Sequence, residues 1–335
     1  MPDKSKYTLQ NNFFSKLKTS IPSHISLVNE LSDVLGISTD GAYRRLRGET
    51  ALSMDEMFTV CKHFKISPEA MATADNSQVT FSFTPLSTTE NQFGKYFNGL
   101  YESLKQITSN ADHHMYFTAE DIPIFHYFAF PTLTAFKIYY WNKCILNEAD
   151  YAGLKFDPQT IEPGYIEMGK KIFDEYTKVK CTELWSEKTV IGILAQIVFI
   201  WESSGFSRKE DAFQILDEVQ EMADYLKKAA ALEYKFDPKL PSHQPGASYT
   251  LYHLDFMMGN ITVFVRIGEL KACHLVFNTF NTLKTGHPLF CMETENWLNN
   301  MMKKATLISG TSEKHREKFF AGISRRIEET RARLI

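Results

Sequence analysis

The chain has 335 residues, a formal net charge of −3, 44% hydrophobic residues and 23% charged residues. These values are ordinary for a soluble globular protein of two or three domains, and they exclude the extreme composition classes. The five cysteines are far apart and form no C-x-x-C pair, which predicts reduced core thiols in a cytoplasmic protein. No apolar run follows the first lysines, so we expect no signal peptide. The most apolar stretch, residues 189–201, is too short to span a bilayer and predicts a buried helix.

The first 71 residues predict a series of short helices. The apolar spacing and the capping residues place them at residues 11–21, 27–35, 38–47, 53–64 and 67–71. Gly36 is a plausible C-cap of the second helix, and Ser38 and Ser53 are plausible N-caps of the third and fourth. The pattern therefore favours an all-helical domain of about five short helices.

A change in composition marks the predicted domain boundary. Residues 72–90 are rich in Thr and Ser, and only residues 79–83, VTFSF, alternate like a strand. We therefore expect one domain over residues 1–75 and a larger one over residues 76–335.

The larger domain reads as mostly helical α+β. Its predicted helices cover residues 90–107, 131–146, 163–179, 187–203, 208–235, 292–308 and 312–334, and residues 113–125 are strand or loop. Three β-branched and aromatic segments follow one another at residues 248–256, 260–268 and 270–278. Their short separations predict a small antiparallel sheet of three strands in chain order.

Residues 28–49 carry the most specific pattern in the chain. Two predicted helices are joined by a tight turn at Gly36, and Ala42 is small enough for them to cross closely. The inward-facing apolar residues are Leu31, Leu35, Ile37, Ala42 and Leu46. This spacing is typical of a helix-turn-helix, although three arginines in four positions are by themselves more often a solvated helix face.

The other face of the second helix suits the major groove of DNA. Thr39, Asp40, Tyr43 and Arg44 would face bases, because the start of a recognition helix contacts base edges. Arg45 and Arg47 would lie near the sugar-phosphate backbone. The backbone amides of Ser38 and Thr39 would offer partial positive charge to a phosphate.

Residues 27–68 resemble the Xre/Cro-type helix-turn-helix, and most closely its BetR-like branch of bacterial regulators. The matching segments are LSDVLGIS, AYRRLRGE and LSMDEMFTVCKHFKIS, and Ser32 stands where this fold commonly has Ala. The resemblance covers about an eighth of the chain. It implies a λ-repressor-like DNA-binding module of about five helices and the role of a transcription regulator.

Charge and size set the expected mode of binding. Residues 1–72 hold nine Lys and Arg against eight Asp and Glu, so a single copy should bind double-stranded DNA weakly and with strong salt dependence. Such modules work as dimers on half-sites about 34 Å apart. We expect the larger domain to make the homodimer and to receive a signal from an unknown small molecule or protein.

Other candidate sites have weaker support in the sequence. His113 and His114 are adjacent and would point to opposite faces of a strand, which makes a poor metal-chelating pair. His253, Asp255 and His274 could meet on adjacent predicted strands, but they lack a nucleophile or a third ligand. Four common nucleotide, hydrolase and zinc motifs do not occur in the sequence, which removes any reason to name a reaction. Our expectation is that the chain is not an enzyme and binds no cofactor or metal.

Two further segments leave alternatives open. The aromatic residues 115–141, with Glu120, Asp121 and His126 among them, read as core or else as a pocket or dimer surface. The helices 208–235 and 312–334 are also candidates for dimer packing, the latter through Phe320, Ile323 and Ile327. The rivals to a regulator are a protein-interaction scaffold with a helical docking domain and, less favoured, an enzyme within residues 80–335.

Overall fold

A computed structural model describes residues 8–21, 25–64, 78–83, 92–240, 244–256, 261–277, 279 and 281–335. The chain divides into two compact units, Met1–Ser82 and Phe83–Ile335. The boundary expected near residue 75 and the helix expected at residues 67–71 lie outside the described residues. In the part of the chain that is described, no helix is both long enough and apolar enough to cross a membrane.

The first unit contains four described helices around one small core. They are α1 (Thr8–Ser20), α2 (Leu27–Leu35), α3 (Thr39–Leu46) and α4 (Met54–Phe64). Each helix contributes to the core, whose buried members are Phe13, Phe14, Leu17, Leu31, Ala42, Val60 and Cys61. The four helices predicted from spacing and caps are confirmed over these residues, because one face of each is apolar at helical spacing.

The turn between α2 and α3 has the predicted form. Gly36 is left-handed, with φ 61° and ψ 35°, and the N–H groups of Gly36 and Ile37 bond the last carbonyls of α2. Ser32 Oγ donates to the carbonyl of Ile37 at 2.6 Å, so the serine ties α2 to the turn instead of disturbing it. The Ser38 side chain then caps α3 by accepting from the N–H of Gly41 at 3.1 Å.

The second unit adds eight described α-helices, most of them close to their predicted positions. They are α5 (Gln92–Thr108), α6 (Ile124–Tyr127), α7 (Pro131–Tyr140), α8 (Pro163–Tyr176), α9 (Ile191–Glu202), α10 (Lys209–Leu232), α11 (Pro288–Lys304) and α12 (Glu313–Arg333). A π-helical turn, Trp141–Ile145, continues α7. The aromatic residues 115–141 belong largely to the main core, so the core interpretation of that segment holds.

Eight strands form one mixed sheet. They are β1 (Ser82–Phe83), β2 (His113–Ala119), β3 (Cys181–Ser186), β4 (Tyr249–Leu254), β5 (Thr262–Ile267), β6 (Leu270–Phe277), β7 (Asn281–Thr285) and β8 (Thr306–Leu307). Their order is β1-β7-β6-β5-β2-β3-β4-β8. The pairs β2–β3 and β3–β4 are parallel, whereas β2–β5, β4–β8, β5–β6 and β6–β7 are antiparallel.

The prediction of a small antiparallel sheet is therefore wrong. The hairpin β5–β6 is as predicted, because Gly268 in the left-handed region closes a short turn. However, β4 does not pair with β5. It pairs in parallel with β3, and β2 lies between β3 and β5. Parallel neighbours are joined through crossover helices, so their pairing is long-range and leaves no mark on the local sequence.

The helices cover the two faces of this sheet unequally. The main core lies on one face and includes Phe117 of β2, Trp185 of β3 and Leu251 of β4 together with residues of α5–α10 and α12. The other face packs against α11 through two smaller clusters, one around Phe264 and Cys273 and the other around Leu184 and Leu254. Strand β3 is buried along its whole length because it lies between these two layers.

Candidate nucleic-acid interface

The helix α3 is anchored by its inner face. Ala42 is fully buried in the core of the first unit, and Ile37 and Leu46 pack against that core. Because Ala42 carries only a methyl group, α2 can approach α3 closely at this point. The outer face of α3 is consequently left to solvent over its eight residues.

Six of the seven predicted contact residues are exposed. They are Ser38, Thr39, Asp40, Tyr43, Arg44 and Arg47. The Tyr43 residue is 51% exposed and the Arg47 side chain 58% exposed. Thr39 and Asp40 project from the first turn of α3, Tyr43 and Arg44 project from the second, and Arg47 is its C-cap. The structure therefore brings both arginines and the first-turn polar residues onto one accessible surface.

Arg47 makes two contacts at the edge of this surface. Its Nε lies 3.3 Å from Oε1 of Glu49, and its guanidinium lies 6.0 Å from the centre of the Tyr43 ring. Glu49 is about half exposed, so water screens this ion pair and breaking it costs little free energy. Arg47 can therefore leave Glu49 for a phosphate.

Arg45 lies apart from the other two arginines. Its side chain is only 17% exposed and binds Glu56 of α4 through two hydrogen bonds, Nη2 to Oε1 at 2.6 Å and Nε to Oε2 at 3.2 Å. Its Nη1 donates to the carbonyl of Gly41 at 3.2 Å. The hydrogen bond from this guanidinium lowers the pKa of Glu56 below its usual value, so the pair is charged near neutral pH.

The loop after α3 is held by a glutamine of α1. Gln10 donates through Nε2 to the carbonyls of Arg45 and Thr50, at 2.7 and 2.8 Å, and its Oε1 accepts from the N–H of Leu52 at 2.8 Å. One side chain thus binds a carbonyl in the last turn of α3 and two backbone groups of the loop that follows it. Sequence reasoning missed Gln10, because its backbone partners lie 35 to 42 positions farther along the chain and no local pattern connects them with α1.

The histidine candidates do not form a site. His113 bonds the backbone of Asn110 and Lys180, whereas His114 bonds Thr182, so the adjacent pair does point to opposite faces. His253 on β4 and His274 on β6 lie four strands apart, or about 19 Å. The expectation that they could meet is wrong because β4 is not next to β5. Within the described residues, no group of three or more His, Cys, Asp or Glu side chains could hold a metal ion.

The most polar part of the main core surrounds Glu183 of β3. Its carboxylate accepts from His126 Nε2 at 2.8 Å, from Trp185 Nε1 at 2.8 Å and from the Tyr249 hydroxyl at 3.0 Å, and also from the Tyr176 hydroxyl. Burial by itself would raise the pKa of Glu183, but the charge and hydrogen bond of His126 lower it below its usual value. The carboxylate is fully buried, so this network has no direct access to a substrate.

The basic C-terminal helix is engaged within its own unit. Its stripe of Phe320, Ile323 and Ile327 is buried in the main core, where α12 packs against α10. Three of its arginines, Arg326, Arg331 and Arg333, form ion pairs with Glu187, Asp217 and Glu202, at 3.4, 2.6 and 3.4 Å. The stripe is therefore not a free surface for a second copy of the chain.

The local geometry of residues 27–64 agrees with the predicted helices and turn, while the family resemblance rests on the quoted sequence segments alone. A role for the surface of α3 has to be argued from its own residues and charges. In comparisons with protein-family models, curated proteins and solved structures, the chain gave no match.

Proposed function

We propose that this chain is a sequence-specific DNA-binding transcription regulator of a bacterial cytoplasm, with α3 in the major groove. One observation carries the proposal: α3 is anchored by Ala42 and presents Asp40, Tyr43, Arg44 and Arg47 together to solvent. An α-helix fits the major groove, and exposed arginines donate to guanine edges or phosphates.

Each exposed group has a role in this proposal. Arg44 lies one turn after Asp40 on the accessible face and reads a guanine, while Asp40 accepts from a cytosine amino group. Arg47 lies at the edge of the surface and binds a phosphate after leaving Glu49. The N-capped start of α3 at Ser38 and Thr39 directs its first amides toward the DNA backbone.

The larger unit supplies dimerisation in this proposal. Two copies would place their α3 helices in successive major grooves of a pseudo-palindromic site, about 34 Å apart. A small molecule or a protein that binds the larger unit would change this spacing and thereby the affinity. We assign the chain no reaction.

Selection of genomic fragments with the purified protein at two salt concentrations tests the proposal. We expect enrichment of a pseudo-palindromic site that persists at the higher salt, since base contacts depend less on counterion release than phosphate contacts. Uniform binding that disappears with salt would contradict sequence-specific regulation and would favour the rival, a helical domain that docks a protein.

Single variants at the two exposed arginines then separate their roles. Arg44→Ala should cost about 1–3 kcal/mol and relax the preference at one base pair, because a bidentate guanine contact is lost. Arg47→Ala should weaken binding to all sequences and reduce the salt slope by about 1. Fluorescence anisotropy with the selected site and single-base variants of it measures both effects. If the Arg44→Ala/Arg47→Ala double variant is folded and binds DNA unchanged, α3 is not the reading helix.

A further inference from the structure

The three arginines at the end of α3, Arg44, Arg45 and the C-cap residue Arg47, do not share one face. An α-helix turns about 100° per residue, so Arg44 and Arg47 project about 60° apart, whereas Arg45 projects about 100° from one and 160° from the other. Arg44 and Arg47 are exposed, and the Arg45 side chain is directed toward α4. The arginine cluster of the sequence is therefore divided into two groups by helix geometry alone.

The partner of Arg45 is itself fixed in place. Glu56 forms a reciprocal capping box with Ser53 at the start of α4, in which the Ser53 N–H donates to Glu56 Oε2 at 2.9 Å and the Glu56 N–H donates to Ser53 Oγ at 3.1 Å. Farther along α4, Val60 and Cys61 are buried in the core of the first unit. A contact with Glu56 is thus a contact with a rigidly packed helix.

Hydrogen bonds hold both the guanidinium and the backbone carbonyl of Arg45. Its guanidinium makes two bonds to Glu56 and one to the carbonyl of Gly41, and its backbone carbonyl accepts from Gln10 of α1. These contacts join α1, α3 and α4 at the last turn of α3. Moving the side chain to a phosphate would leave the partly buried Glu56 carboxylate without its cation, which costs more than breaking an exposed pair such as Arg47–Glu49.

We propose that Arg45 is a positioning residue, which fixes the orientation of α3 through Glu56 and does not contact DNA. This inference rests on the proposed function and departs from the expectation that Arg45 lies near the DNA backbone. If Arg45 positions α3 through Glu56, then Glu56 contributes to DNA affinity, although its carboxylate is negatively charged like the phosphates. The affinity of the protein then depends on how α3 is held as well as on which side chains α3 presents.

Glu56→Gln and Glu49→Gln each remove one negative charge, but under this proposal they change DNA affinity in opposite directions. Glu56→Gln retains a side chain that can serve the capping box but weakens the hold on Arg45, so DNA affinity should fall by about fivefold. Glu49→Gln removes the same negative charge and releases Arg47, so affinity should rise. Fluorescence anisotropy of the full chain on its selected site measures both. If Glu56→Gln tightens binding as Glu49→Gln does, Arg45 acts as a phosphate ligand and the proposal is overturned.

The salt dependence provides a readout that a loss of folding would not imitate. Arg45→Ala should weaken binding without changing the slope of log affinity against log salt, and it should have little further effect in the Glu56→Gln background. A slope reduced by about 1, as expected of a lost phosphate contact, would contradict the positioning role. Circular dichroism of each variant establishes that the helices are retained.

A thermal unfolding cycle separates this inference from the proposed function. The shift of the unfolding midpoint is measured for Arg45→Ala, Glu56→Gln and the double variant of the full chain, without DNA. Additive shifts would mean that the two side chains are not coupled and would overturn the inference whatever the DNA result. Coupled shifts in a protein that selects no DNA sequence would support the link between α3 and α4 and overturn the proposed function instead.

Discussion

Glu183 has an environment unlike that of an ordinary core position, because its fully buried carboxylate is surrounded by hydrogen-bond donors. Four N–H and O–H donors and, at 3.9 Å, the Cys181 thiol surround its carboxylate. Lys235, which is also fully buried, has its ammonium 4.5 Å from the centre of the Tyr176 ring. A buried carboxylate is tolerated only when such partners replace its water, and removal of one partner leaves the rest uncompensated. The network therefore makes the core of the larger unit sensitive to a change at a single atom.

Glu183→Gln should lower the free energy of unfolding by about 3 kcal/mol at pH 7, because the amide cannot accept from all four donors. Since the pKa of Glu183 is lower in the folded chain than its usual 4.5, the ionised carboxylate stabilises the fold above that pH. The contribution is lost as the pH falls through the folded pKa. Urea unfolding of both proteins should therefore show a difference that shrinks below about pH 4.5.

Glu221→Gln is the matched control for this prediction. Glu221 pairs with Lys239 on the surface, where its side chain is 55% exposed, so the change should cost less than about 1 kcal/mol. An equal loss for both variants, or a Glu183→Gln effect that does not depend on pH, would refute the role given to the buried charge.

At the scale of the elements, the turn between α2 and α3 depends on one backbone conformation. A Cβ at Gly36 would meet no atom within 4 Å, but the residue has φ 61°. Gly36→Ala should therefore cost about 1 kcal/mol through backbone strain alone. Gly41→Ala, inside α3 with ordinary contacts at 3.4 Å or more, should be neutral or stabilising. Thermal unfolding of both variants measures the difference, and equal midpoints would show that the left-handed turn is not required.

The packing of α12 against α10 gives a second prediction for the elements. Ile327 is fully buried in the main core, so Ile327→Ala should cost about 2–4 kcal/mol of unfolding free energy and leave the oligomeric state of the folded protein unchanged. Arg325 on the exposed side of α12 is the control, and Arg325→Ala should change stability by less than about 0.5 kcal/mol. Sedimentation velocity of the folded Ile327→Ala protein checks the second part. Dissociation of an oligomer by this substitution would place α12 in an interface.

Local patterns in the sequence predicted the elements that depend on local chemistry. The stripe of Phe93, Phe97 and Leu104 identified α5 because it repeats at helical spacing, and all three are buried. Strand β3, CTELWS, was missed because it is short, buried on both faces and interrupted by Glu183, so it shows no alternation. Hydrogen-bond partners in distant elements give no local signal, and the pairing of β4 with β3 could not be predicted for that reason.

For the candidate surface too, local patterns predicted which positions are exposed but not which distant residues they bind. The exposed positions of α3 follow from helical spacing and the buried Ala42, so six of the seven predicted residues lie where the pattern placed them. Arg45 was assigned to the same surface because three neighbouring arginines look alike in sequence. The S-x-x-E capping box at Ser53 and Glu56 was a visible signal for α4. The reach of Glu56 back to Arg45 depends on the fold of residues 47–53, which spacing does not specify.

At the scale of the whole molecule, the chain joins two units with separate hydrophobic cores. The small unit holds the proposed DNA surface, and the large unit holds the sheet with its polar centre. Separate cores mean that each unit has its own source of stability, so mutations in one core need not unfold the other. Under the proposed function, DNA affinity would depend on the large unit through the number of small units that it brings to one site.

A fragment of residues 1–82 tests this division of roles. It should stay helical by circular dichroism because it retains the core around Leu17, Leu31 and Val60. On the selected pseudo-palindromic site it should bind about 10²–10⁴-fold more weakly than the full chain, since it loses the effective concentration that a dimer provides. On a single half-site the fragment and the full chain should bind alike. If the fragment binds the whole site as tightly as the full chain does, the large unit is not the source of the dimer, and its sheet and core must serve another purpose in regulation.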